Sequence, residues 1–138
     1  MTAAGYSGTP LVRKLGIRAG ARVALVGAPD GFTLAQPELP AGVAIRAQAR
    51  GPLDVIVAFF DRRVRLERRL PALAAALQPA GGLWIAWPKR SSGVATDLDE
   101  NLIRSAGLAA GLVDNKVCAI DAVWSGLRFV YRLADRGR

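Results

Sequence analysis

Histidine does not occur in this sequence of 138 residues. Imidazole is the usual general base near neutral pH, so its absence excludes every Ser-His and Cys-His nucleophilic arrangement. Proton transfer would fall to carboxylates, to Lys14, Lys89 or Lys116, to a tyrosine or to bound water. The sequence therefore identifies no catalytic residue.

Cysteine occurs once, as Cys118, which excludes an intrachain disulfide and a metal centre built from several thiolates. The residue lies within an apolar segment at 117–120. Such surroundings predict a small buried hydrophobe rather than a nucleophile. No other metal-ligand spacing occurs, so we expect no metal site.

Long apolar runs are also missing: none approaches the roughly 20 residues that span a bilayer. Residues 1–6 show no basic region followed by an apolar stretch, so we expect a cytoplasmic protein without a membrane partner.

Hydrophobic residues make up 51% of the chain, enough for one core. We predict a flexible N-terminus at 1–8, one domain at 9–133 and a frayed basic tail at 134–138.

The net charge of +8 comes mainly from arginine. This excess favours an anionic partner, namely nucleic acid, a nucleotide or an acidic protein. Recognised RNA- and DNA-binding motifs are absent, and a solvated arginine surface is the alternative. Four arginines share one face of a helix predicted at 62–77: Arg62, Arg65, Arg68 and Arg69.

The pattern of elements predicts an α/β domain. Residues 53–60 form the clearest strand, apolar without alternation, as expected of a strand covered on both faces. Further strands are predicted at 22–26, 43–47, 83–87, 113–120 and 127–133. Helices are predicted at 10–15, 62–77, where Pro71 should kink or divide the helix, and 96–110. A turn is predicted at 79–82.

This alternation of strands and helices implies right-handed crossovers and a mostly parallel, Rossmann-like sheet. The link at 121–126 is too short for a crossover, so the last two strands should form an antiparallel hairpin.

Residues 73–85, Leu-Ala-Ala-Ala-Leu-Gln-Pro-Ala-Gly-Gly-Leu-Trp-Ile, are similar to the helix-turn-strand passage of class I S-adenosylmethionine-dependent methyltransferases. The second half of the chain, from 53 to 133, resembles the back half of that fold. The resemblance implies a sheet of about six strands in the order 2-1-3-4-6-5, with the last strand antiparallel.

The whole chain also resembles a bacterial family, domain of unknown function 3052. The resemblance is carried by residues 5–11, 29–32, 87–89, 92–98, 117–121 and 124–130. It brings no activity with it.

A ligand of a doubly wound sheet sits beyond the carboxyl ends of the strands, where the strand order reverses. In this chain that place is the crevice between the loops after the first and third strands. Gly27, Asp30 and Gly31 form the first loop, and the glycines would let the backbone approach a ligand closely. The alternative is a tight turn that needs Gly31.

The fourth strand and the final hairpin supply further candidates for holding an anionic or planar group. They are Trp87, Lys89, Ser91, Asp97, Asp121 and Trp124. The alternatives are structural: Trp84 and Trp87 would be core residues on opposite sides of the sheet, and Trp124 would anchor the hairpin.

The methyltransferase resemblance implies an acidic residue at the end of the second strand, where it would hold the ribose of S-adenosylmethionine. Residues 44–50, Ala-Ile-Arg-Ala-Gln-Ala-Arg, contain none, and a helix of normal length between the first two strands is missing. An arginine there would instead suit a phosphate. We therefore expect no complete S-adenosylmethionine site.

The sequence favours a small domain that binds an anionic or nucleotide-like small molecule at this edge. It favours a binding protein over an enzyme. If the protein is an enzyme, we expect a divergent methyltransferase-like transferase. The alternative is a non-catalytic interaction protein that uses its basic surface on nucleic acid or an acidic protein. Nothing in the sequence indicates an oligomeric state.

Overall fold

A computed structural model describes residues 10–34 and 39–136. The flexible N-terminus predicted at 1–8, residues 35–38 between the first two predicted strands, and residues 137–138 of the predicted tail lie outside this described part. None of the helices within it is long and apolar enough to cross a membrane.

Six strands of the described chain form one sheet in the order β2-β1-β3-β4-β6-β5. This confirms the α/β fold class and the predicted order. The neighbours among β1 to β4 pair in parallel, whereas β6 pairs antiparallel with both β4 and β5. The strands are β1 (Arg22–Val26), β2 (Ala44–Arg46), β3 (Leu53–Phe59), β4 (Leu77–Pro88), β5 (Leu112–Ala119) and β6 (Trp124–Tyr131).

Helices cover both faces of the sheet. They are α1 (Leu11–Lys14), α2 (Arg63–Ala76), α3 (Glu100–Ala109) and α4 (Leu133–Arg136), with a 3-10 turn at Arg90–Ser92. Buried side chains of α2 and α3 pack on one face, which we call the α2/α3 face. Buried side chains of α1 pack on the other, the α1 face.

The two strand tryptophans lie on opposite faces, as the sequence predicted. Trp87 packs in the core of the α2/α3 face, and Trp84 packs in the core of the α1 face. The indole N–H of Trp84 donates a hydrogen bond of 3.1 Å to the carbonyl of Leu15. This bond ties the end of α1 to the centre of the sheet.

Pro71 does not divide its helix, which was one of the two outcomes expected of it. α2 runs continuously from Arg63 to Ala76 with Pro71 inside it. Pro71 is exposed, while Leu70 and Leu73 beside it are buried against the sheet. Their packing holds the backbone helical although the proline supplies no N–H.

The predicted turn at 79–82 is a bulge inside β4 rather than a link before it. Leu53 of β3 pairs with Leu77, and Val55 pairs with Gly82. Residue 54 therefore faces residues 78–81 alone. The amide of Gln78 donates to Asp54 across this irregularity at 3.0 Å, so the extra residues remain attached to the sheet.

The beginnings of α3 and β6 also differ from the prediction. α3 begins at Glu100 rather than near Thr96, because the Asp99 carboxylate caps it by accepting a hydrogen bond from the Leu102 N–H. β6 begins at Trp124, which shortens the predicted link at 121–126 to residues 120–123.

Residues 134–136 belong to α4, where a frayed tail was expected. The Arg136 side chain donates a 2.9 Å hydrogen bond to the carbonyl of Tyr131 and so holds this helix against the end of β6.

Gly107 lies where α3 crosses the sheet, and we expect Gly107→Ala to destabilise the fold. A Cβ at this position would lie 2.0 Å from Cε1 of Phe129, a fully buried ring. Alanine normally favours a helix over glycine by about 1 kcal/mol. Overpacking should reverse this sign and lower the free energy of unfolding by about 1–3 kcal/mol in urea denaturation. Ser105→Ala, at an exposed position of α3, is the control and should not destabilise; an equally stable Gly107→Ala variant would contradict the packing.

Candidate functional site

Loops from four strands meet at one edge of the sheet, which we call the carboxyl edge. β1, β3 and β4 end there, and the antiparallel β6 begins there, because Pro88 at the end of β4 pairs with Trp124. The loop after β4 is held to the hairpin by a 2.7 Å hydrogen bond from the Lys89 N–H to the carbonyl of Val123. Ligands of open α/β sheets bind at such an edge.

The loop after β1 is a tight turn that approaches β3 closely. Gly27 and Gly31 both have positive φ angles, 67° and 81°, which favour glycine. A Cβ on Gly27 would lie 3.1 Å from the carbonyl oxygen of Phe59, whereas one on Gly31 would meet open space. Asp30 between them is exposed. Gly27 thus allows the loop to pass close to β3, whereas the tip of the turn at Asp30 and Gly31 is open to solvent.

Three aromatic side chains connect this loop to the hairpin, and we call them the aromatic cluster. The ring centroids of Phe32 and Phe59 are 4.9 Å apart, and those of Phe59 and Trp124 are 5.2 Å apart, both in edge-to-face geometry. Phe59 is buried, while Phe32 and Trp124 are partly exposed. Phe59 was missed as a site residue because it read as the end of a buried strand. Trp124 was expected in the hairpin turn but is the first residue of β6.

Asp97 holds the start of a helix. Its Oδ1 accepts a 2.7 Å hydrogen bond from the N–H of Arg63, the first residue of α2. The neighbouring Thr96 hydroxyl donates to the carbonyl of Asp61 at 2.7 Å. The segment before α3 therefore fixes the first turn of α2. Asp97 also lines a hollow of about 760 Å³ together with Trp87, whose side chain is only 7% exposed.

Asp121 shapes the hairpin turn. Its Oδ1 accepts hydrogen bonds from the N–H groups of Val123 and Trp124, both at 2.8 Å. An Asp side chain that bonds the backbone two and three residues ahead is a common turn device. Lys89 and Ser91 follow β4, with Lys89 partly buried and Ser91 exposed in the 3-10 turn.

The predicted site residues therefore divide between two places. Trp124 lies with the α1 face, beside the loop of Gly27 and Gly31, whereas Trp87 belongs to the core of the α2/α3 face, near Asp97. Within the described chain, Asp30, Lys89 and Ser91 make no side-chain hydrogen bond or ion pair, so their polar groups are available to a ligand.

The end of β2 carries no carboxylate. Ala44, Ile45 and Arg46 are all exposed, and residues 47–50 contain no carboxylate. Arg46 lines a hollow of about 260 Å³ together with Arg22 and Arg50. The residues present at β2 therefore lack the carboxylate that the methyltransferase resemblance implies for the ribose, and their charge suits a phosphate.

Cys118 is partly buried against the core of the α1 face. Desolvation raises the pKa of its thiol, although the positive charges of Lys14 and Lys116 oppose this shift. The neutral thiol is therefore favoured, which agrees with a packing role. No group of three histidine, cysteine, aspartate or glutamate side chains in the described ranges is arranged to hold a metal ion.

Several solved structures are similar to this fold. One is a fibrillarin pre-rRNA processing protein from Methanococcus jannaschii, with 14% identity, a TM-score of 0.59, and 83% of this chain and 68% of that chain covered. A SAM-dependent methyltransferase from Aquifex aeolicus has 13% identity and a TM-score of 0.56, with 86% of each chain covered.

The magnesium protoporphyrin IX methyltransferase from Synechocystis PCC 6803, solved with bound SAM, has 12% identity and a TM-score of 0.53, with 88% of this chain and 74% of that chain covered. No family model and no curated protein sequence matches the chain. At these identities the likeness concerns the fold alone, which is methyltransferase-like.

Replacing Asp97 distinguishes a structural role from a ligand-binding one. We expect Asp97→Ala to lower the free energy of unfolding by about 0.5–2 kcal/mol, because the first turn of α2 loses its acceptor. Asp97→Asn retains an acceptor oxygen and should recover most of this loss. Thermal and urea denaturation measure both variants; equal stability of Asp97→Ala and the parent chain would contradict the capping role.

Proposed function

We propose that this chain is a small ligand-binding domain whose carboxyl edge binds an anionic, nucleotide-like molecule. The observation that carries the proposal is the aromatic cluster, in which Phe59 at the end of β3 lies between Phe32 and Trp124. The rings of Phe32 and Trp124 are partly exposed, at the edge where open α/β sheets bind their ligands. Aromatic faces of this kind stack on nucleobases.

The polar groups at the same edge suit the anionic part of such a ligand. Lys89 supplies a cation with no carboxylate within ion-pair distance among the described residues, and Ser91 supplies a hydroxyl. The turn at Gly27 and Gly31 lets the backbone come close to the bound molecule. Together these groups favour a planar base joined to a phosphate.

Methyl transfer is not part of the proposal. β2 offers Arg46 rather than a carboxylate, so the acidic partner that would bind the ribose of S-adenosylmethionine is missing there. The chain supplies no histidine as a proton acceptor. We therefore propose a cytoplasmic binding protein rather than an enzyme; were it to catalyse a reaction, a divergent methyltransferase-like transfer would fit the fold. Membership of the domain-of-unknown-function family 3052 stays a prediction.

Titration with adenosine 5′-monophosphate tests the site. In amide nuclear magnetic resonance spectra, we expect shifts at Gly27, Gly31 and Lys89. Trp124→Leu should weaken binding by roughly 5- to 150-fold, since stacking of one base on an aromatic ring contributes about 1–3 kcal/mol. S-adenosylhomocysteine, titrated in parallel, measures how much of the methyltransferase site persists.

Leu108→Ala is the control for this titration, because Leu108 is 43% exposed near the end of α3. It removes apolar surface far from the carboxyl edge and should leave the affinity unchanged. Absence of shifts at the crevice with millimolar adenosine monophosphate and S-adenosylhomocysteine would refute the proposal.

A second candidate function is binding of nucleic acid by the arginine face of α2. Arg62, Arg65, Arg68 and Arg69 are all exposed. None of them forms an ion pair within the described residues, in contrast to Arg63, which pairs with Glu67 at 2.9 Å. A row of uncompensated arginines on one helix can follow a phosphate backbone.

This candidate predicts a steep dependence of affinity on salt. If four phosphates are contacted, binding of a labelled single-stranded RNA should weaken about 50-fold between 50 and 200 mM KCl in fluorescence anisotropy. Replacing three α2 arginines by glutamine should reduce both affinity and salt slope more than replacing three exposed arginines elsewhere. The test set is Arg65, Arg68 and Arg69, and the control set is Arg13, Arg90 and Arg132. Equal losses in the two sets would favour net charge over a defined surface.

A further inference from the structure

Another hollow, which we call the cationic hollow, lies at the opposite edge of the sheet, where the parallel strands begin. Its volume is about 640 Å³. Four cationic residues line it, and Asp54 is the one acidic residue among its described lining. The four are Lys14 at the end of α1, Arg18 in the loop before β1, Lys116 in β5 and Arg128 in β6.

Two of these cations face each other directly across neighbouring strands. Lys116 pairs with Arg128 in the β5–β6 register, and Arg128 in turn pairs with Trp84 in the β4–β6 register. Paired residues project to the same side of a sheet, so both cations lie on the α1 face with Trp84. Like charges at directly opposed positions destabilise a sheet. The arrangement therefore has a cost unless an anion lies between them.

Gly82 gives the Arg128 side chain its position. A Cβ at residue 82 would lie 2.5 Å from Nε and 2.7 Å from one terminal nitrogen of Arg128. The guanidinium thus lies directly against the backbone of β4, in space that any other residue at position 82 would occupy. This contact fixes where the planar group lies along the lining of the hollow.

Arg128 carries its charge in a partly desolvated position. Burial, followed by repulsion from Arg136, lowers the pKa of its guanidinium below the ordinary value. Its one hydrogen bond within the described chain goes to Oδ1 of Asn115, at 3.3 Å. The arginines that form ion pairs within the described part of the chain are Arg63 and Arg104, not Arg128. A desolvated charge normally has a partner of opposite sign.

Asp54 does not provide that partner. Its Oδ2 accepts a 2.8 Å hydrogen bond from the N–H of Arg22, and its Oδ1 accepts one of 3.0 Å from the Gln78 amide. Both oxygens thus attach the starts of β1 and β4 to β3. Neither oxygen of Asp54 forms an ion pair with Arg128 or Lys116 within the described residues.

We propose that this hollow binds a small anion that carries a diphosphate group. Arg128 binds two oxygens of one phosphate through its planar fork, and Lys116 binds the second phosphate as a point charge. The volume lies in the usual range of small-molecule sites. The site is separate from the carboxyl edge, which is formed by the opposite ends of the strands, and it stands whether or not that edge binds a nucleotide.

The test uses inorganic pyrophosphate as the probe in isothermal titration calorimetry at 50 mM salt. We expect binding to the parent chain, and an affinity at least tenfold weaker for Arg128→Met and for Lys116→Gln. Gly82→Ala is the sharpest variant, because it preserves the net charge and displaces the guanidinium. It should weaken binding as Arg128→Met does, while circular dichroism confirms that each variant is folded.

Arg90→Gln is the matched control, since it removes one exposed positive charge from the 3-10 turn after β4, at the other end of the strands. Its affinity for pyrophosphate should stay within twofold of the parent value. Two results would overturn the proposal: no binding of pyrophosphate to the parent chain, or an equal loss in Arg90→Gln and Arg128→Met. If Gly82→Ala fails to fold, the comparison of Arg128→Met and Lys116→Gln with Arg90→Gln decides the question.

Discussion

The pairing of β3 with β4 is the constraint on which the rest of the structure depends. Residues 55–59 and 82–86 are buried on both faces, so each face needs its own cover. α2 and α3 provide it on one side. On the other, α1 has only four residues and is held by the hydrogen bond from Trp84 to Leu15. This short cover leaves room at both ends of the α1 face, where the aromatic cluster and the cationic hollow lie.

Much of the fold was predictable because it rests on patterns local to the chain. The strand at Arg22–Val26 was predicted to the residue. Trp84 and Trp87 are an odd number of residues apart in one strand, and this alone predicted that they lie on opposite faces. The bulge at 78–81 was not predictable, since a Pro-Ala-Gly-Gly segment looks the same in a link and in a strand. What keeps it in the sheet is the bond between Gln78 and Asp54, residues far apart in sequence.

The candidate site was less predictable than the fold. Sequence order located the carboxyl edge correctly, but it did not show which candidates have structural partners. Asp97 accepts a hydrogen bond from a residue 34 positions away, and Asp121 bonds its own turn. Phe59 was missed because its contact with Phe32 depends on how the loop after β1 folds back. Such contacts are tertiary, and the spacing of apolar residues along the sequence does not predict them.

The contact between Gly82 and Arg128 has a consequence for how this sequence can change. The two positions share one volume, since the guanidinium fills the space of the missing Cβ. Substitutions at the two sites should consequently be non-additive, a larger residue at 82 being tolerated once 128 is shortened. Among related sequences positions 82 and 128 should therefore covary. A glycine at 82 should accompany a long side chain at 128, and a larger residue at 82 should accompany a shorter one at 128.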